Sequence, residues 1–148
     1  MDSTLLAATA TVVAGGLVGM QAPINSVLGK SSGTLAAASV SFAIGLAVLV
    51  AITVVAGGGF GDLGKAGDLQ WYYLTGGVLG AAYVTTVLVS VRTLGAGGVA
   101  GATIAGQLTM SVLLDRTGAL GLPERALTAP RLIGVTLLAV GTFLIVRD

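Results

Sequence analysis

Residues 35–56 read LAAASVSFAIGLAVLVAITVVA, without one charged side chain. A run of ~18 or more apolar residues is long enough to cross the ~30 Å hydrocarbon core of a bilayer as a helix. Outward from it the uncharged stretch widens to 31–61, and four more lie at 3–28, 69–91, 93–114 and 132–146. Four of the five exceed the spanning length, and the last approaches it. The fold class predicted is an all-α integral membrane protein, one domain over 1–148, with transmembrane helices at about 4–28, 35–56, 69–91, 96–114 and 129–146.

Composition agrees. Mean hydropathy is +1.00 and 9% of residues are charged, against about 25% in soluble domains. The 24 glycines would weaken helices in water but let backbones approach closely in lipid. A net charge of +1 leaves no basic patch for nucleic acid. Without Cys or His, ordinary zinc, haem and iron–sulfur sites are excluded, as are thiol nucleophiles and histidine bases. The chain reads as a non-enzyme with no cofactor and no metal. Asp2 stands where a signal peptide needs basic residues, and the apolar run after it is too long, so residues 4–28 read as a retained first helix.

The gaps supply the boundaries. Residues 29–34 read as a short turn with Thr34 as N-cap. Gly57-Gly58-Gly59 ends the second helix, and residues 60–68 read as a polar loop. Trp71, Tyr72 and Tyr73 open the third helix as an interfacial aromatic cluster. Arg92 and Gly95 mark a tight turn. Residues 115–128 form the longest polar connection, and Thr128 and Pro130 suit the N-cap and first turn of the fifth helix.

Five crossings put the termini on opposite sides. The N-terminal side then receives Lys65, Arg116, Arg125 and Arg131, and the other side Lys30, Arg92 and Arg147. Lys/Arg excess normally sets orientation, and here it nearly cancels. Charge alone leaves two readings: one orientation set by other features, or insertion both ways with pairing of inverted copies. Size favours the second. Many transporters place their site between two inverted halves, and two antiparallel copies would make a ten-helix inverted dimer.

Small residues recur four apart: Gly15 and Gly19; Ala37, Ser41 and Gly45; Gly76 and Gly80; Gly97 and Gly101; Gly98, Ala102 and Gly106. Packing within one bundle accounts for most of these; an oligomer seam is the other reading. No charge lies deep in a helix, so the carboxylate of a proton-coupled exporter has no counterpart. Asp115, beside Arg116, reads as a local interfacial group. Gln21 and Asn25 share a face of the first helix. Pro23 between them is expected to kink or open it, since its ring clashes with the Gly19 carbonyl. Gln107 and Tyr83 fall near the middles of the fourth and third helices. The candidate substrate-binding residues are Gln21, Asn25, Gln107, Tyr83 and Ser41, the amides read as lining a cavity rather than only joining helices. Ser39, Ser41, Ser111, Thr85 and Thr86 also suit helix joining or back-bonding to carbonyls. Such a site fits a neutral polar or zwitterionic solute better than a lone cation.

Residues 15–30, GGLVGMQAPINSVLGK, resemble the first helix of the bacterial YdcZ-type family, a half-size branch of the drug/metabolite transporter superfamily. SVSFAIG (39–45), WYYLTGGVLGAAYV (71–84), AGQLTMS (105–111) with LDRTG (114–118), and RLIG (131–134) resemble its later helices, in order. The loop after Asp115 keeps the family's aromatic-rich pattern only in part. The resemblance implies five helices, an antiparallel dimer like the ten-helix exporters, and members occurring singly, in pairs or fused. The expected function is secondary transport of a small polar metabolite or drug-like solute by alternating access. The chain would act as a dual-topology antiparallel homodimer in the bacterial cytoplasmic (inner) membrane, its partners the lipid bilayer, the solute and a copy of itself. A dual-topology ion channel, a subunit of an antiparallel heterodimer and a non-transporting membrane protein are the alternatives.

Overall fold

Asp2 starts the first helix. Its backbone is extended and its carboxylate accepts the Thr4 N–H at 3.1 Å, satisfying one of the free donors of the first turn. The computed structural model describes residues 2–147, save the side chains of Asp62 and Ala66. The α-helices are α1 (Ser3–Ser32), α2 (Thr34–Val55), α3 (Gly76–Thr117) and α4 (Ala129–Arg147). Among the described residues all regular structure is helical, and four helical segments are long and apolar enough to span a membrane. The chain forms two compact units, Met1–Val89 and Ser90–Asp148.

In the first unit, α1 runs past its expected end at Leu28 to Ser32. Lys30 sits in that last turn, where its charge favours the helix C-terminus and its stem can reach the headgroups. The turn into α2 is the single residue Gly33, whose φ of 87° suits glycine. Gly33, not the expected Thr34, occupies the N-cap of α2. So short a link makes α1 and α2 packed neighbours. The buried face of α1 is Ala22, Asn25, Ser26 and Gly29, a helical spacing of small side chains that admits close approach. Ala37 and Ala38 of α2 cluster with Val84 and Leu88 of α3, with Tyr83 packed against them. Gly80 of α3 lies over the Phe42 ring, 3.6 Å from where a Cβ would stand.

The glycine triplet ends α2 as expected. Gly57 and Gly59 donate to the Thr53 carbonyl at 3.1 and 2.9 Å. A Cβ at Gly57 would come within 2.9 Å of that oxygen, so only glycine fits without a shift. Two corrections follow. The segment read as a loop holds a 3-10 helix, Gly61–Asp68, and the α-helix expected from residue 69 begins only at Gly76. Trp71–Thr75 is a second 3-10 segment. Its rings touch one another, Tyr72 and Tyr73 with centroids 4.6 Å apart, as fits bulky aromatics held at an interface.

Separate third and fourth helices were expected, with a turn through residues 92–95, and the break falls within it. The helical stretch α3 is two helices meeting at a kink at Gly95, with φ 68° and ψ 173°, the last residue of the expected turn. One glycine outside the L-residue regions makes the break.

In the second unit, Gly97 faces Ile145, Gly101 faces Thr142 and Asp115 meets Arg131, so this part of α3 runs antiparallel to α4. Thr142 Oγ1 donates to the Gly101 carbonyl at 2.9 Å. The Arg131–Asp115 ion pair is 3.0 Å long. Asp115 also accepts the Arg125 N–H through its carbonyl at 2.7 Å, which folds the connection back on the end of α3. The fifth expected helix matches α4 closely. Thr128 accepts its first helical bond from Leu132 N–H at 3.1 Å, as an N-cap residue does.

Candidate solute-binding groove

Pro23 lies inside α1, which keeps its helical assignment from Ser3 to Ser32. A proline has no N–H, so the Gly19 carbonyl, six residues before Asn25, loses its usual donor. Asn25 points into the protein: it is 6% exposed, and its Nδ2 donates to Ser41 Oγ of α2 at 3.0 Å. This bond joins two helices at their polar positions.

Above it, Gln21 of α1 and Ser41, Phe42, Gly45, Leu46 and Leu49 of α2 line a groove of 310 Å³. That volume is near the lower end for small-molecule sites. The wall carries one amide, one hydroxyl and an aromatic ring, and no Asp, Glu, Lys or Arg.

The expected site residues separate. Gln21 and Ser41 share the groove. Asn25 stands behind it, holding Ser41. Tyr83 belongs to the same unit but packs on the Ala37, Ala38, Val84 and Leu88 cluster. Gln107 is an exposed residue of α3 in the second unit, and the groove takes its walls from the first. Phe42, Gly45, Leu46 and Leu49 were not among the expected site residues. Gly45 carried a signal, being four residues from Ser41 and so on its face. The leucines carried none, because α2 is apolar on every side.

Ser39 and Thr86 return their hydroxyls to the Leu35 and Ala82 carbonyls, each at 2.9 Å, the back-bonding expected of them. The stripe of Gly97, Gly98 and Gly101 packs on α4 within the chain. Gly15, Gly16 and Gly19 have open space where a Cβ would stand.

The profile of the family described as "Putative inner membrane exporter, YdcZ" matches residues 6–144. The inner membrane protein YdcZ of Escherichia coli (strain K12) is 30% identical over 149 residues, covering 99% of this chain and 98% of the relative. No solved structure matches.

Proposed function

This chain belongs to the YdcZ family, and on that premise we propose that it is a secondary transporter of a small polar metabolite or drug-like solute. It is a multi-pass protein of the bacterial inner membrane. The family's description is that of an exporter rather than an enzyme. The observation that carries the reading is the groove, which offers an amide and a hydroxyl and no charged side chain. With α1 about 45 Å long against a ~30 Å core, Gln21 falls inside the hydrocarbon, about 16 Å from the helix's C-terminal end.

In this reading the chain crosses the membrane five times. The two parts of α3 on either side of Gly95 would be about 29 and 33 Å long, each near the ~30 Å core thickness, so each can make one crossing. The non-helical Gly95 is where the chain would turn back. Two copies inserted in opposite orientations form a ten-helix antiparallel homodimer, favoured by the near cancellation of Lys/Arg between the faces. Alternating access then moves one half against the other around the site.

Single cysteines in residues 57–68 and 117–128 test the topology, and the cysteine-free background makes the labelling clean. Each position is expected to react with impermeant reagent from both sides of the membrane. Reaction from one side alone would remove the homodimer and leave an antiparallel partner chain. Saturable solute flux into liposomes is the expected transport result, whereas ohmic current across a planar bilayer would mean a channel.

A further inference from the structure

The groove offers an amide, a hydroxyl whose O–H is unused among the described residues, and no charge, and this gives it a chemical preference; the inference rests on the transporter reading above. Asn25 Nδ2 donates to Ser41 Oγ. That bond engages the oxygen's accepting side and leaves the Ser41 O–H with no acceptor among the described residues. Ser39, two residues earlier, returns its hydroxyl to a helix carbonyl instead. Gln21 adds two amide N–H donors and one carbonyl acceptor on the facing helix. In hydrocarbon no water satisfies such donors, so leaving them bare costs free energy. A lipid tail filling the groove has no acceptor to offer. A charged occupant would meet no counter-charge on the wall and would lose its hydration.

We propose that the groove binds an uncharged amphiphile through one carbonyl-type acceptor. The acceptor takes the Ser41 O–H and a Gln21 amide N–H, and the apolar body lies against Phe42, Leu46 and Leu49. Gly45 sets the size limit. It lines the groove, and a Cβ there would meet no heavy atom within 4 Å. A side chain at this position starts into open space on the groove wall.

Three probes of one shape test the proposal: phenylacetamide, phenethylammonium and phenylacetate. Each is measured by equilibrium dialysis against the full-length protein in nanodiscs of phosphatidylethanolamine and phosphatidylglycerol, with empty nanodiscs subtracted. The amide is expected to bind saturably and about tenfold or more tighter than either ion. Ser41→Ala weakens it about tenfold, the effect of one buried hydrogen bond, and Ser41→Thr retains it. Gly45→Leu abolishes binding with unchanged helix content, and this variant decides the matter if Ser41→Ala fails to fold. Equal or tighter binding of an ion would overturn the proposal. So would amide binding that survives Gly45→Leu, or no saturable binding to the wild type, the result expected of a groove filled by lipid or by a second copy. Binding without saturable flux of any solute would keep this site and remove the transporter; saturable flux without amide binding would do the reverse.

Discussion

A single hydrogen bond joins the two polar positions at the base of the groove, and its cost of removal is small but directional. Asn25→Ala takes away the donor to Ser41 Oγ. Interhelical bonds of this kind in membranes contribute about 0.6–2 kcal/mol. The expected loss lies in that range, read by unfolding in mixed micelles, with helix content unchanged. A larger loss would mean that the small-residue face of Ala22, Ser26 and Gly29 had also come apart. Gln21→Ala is expected to lower transport with little loss of stability, because Gln21 is exposed on the groove side of α1. Pro23 and Asn25 were legible as polar features of an apolar helix, since proline and amides are the costly residues there, yet α1 stays one helix through them. The pairing of Asn25 with Ser41 was not legible, because it depends on the register set by the Gly33 turn.

Glycines at four-residue spacing look alike in sequence, yet they do different things in the helices. Gly101 of α3 is crossed by Thr142 of α4, whose Oγ1 lies 3.3 Å from the position of a Cβ. Gly101→Val is therefore expected to loosen the α3–α4 pair by about 1–3 kcal/mol, the usual cost of overpacking. Gly106→Ala meets nothing within 4 Å and is expected to leave stability within about 0.5 kcal/mol, as an open substitution does. Comparable melting of the two variants would show that close approach at Gly101 does not hold the pair. Gly95→Ala carries a different cost, since φ 68° with ψ 173° is a glycine-only conformation that disfavours any Cβ by about 1–3 kcal/mol. Helix existence was legible from the uncharged runs. The ends were less so: α1 absorbed Lys30, and α3 started late because residues 71–75 tightened into a 3-10 segment.

The whole molecule exposes most of its apolar side chains, among them Leu46, Leu49, Val78 and Leu137. Leu88 is the one large side chain fully buried among the described residues. Water would not tolerate that arrangement; lipid would. Gln107→Ala is accordingly expected to reduce transport while cross-linking still captures the same fraction of dimer. Loss of the dimer would make Gln107 an interface residue instead. The uncharged runs by themselves determined the membrane location, because charge is costly in hydrocarbon, and the all-helical class, because a spanning run of that length must satisfy its own backbone groups there. Only the tertiary structure decided which polar residues meet. Helices that are apolar all round carry no periodic contrast to say which face turns inward. The one-residue turn at Gly33 and the close approach of small side chains choose that face, and with it the groove.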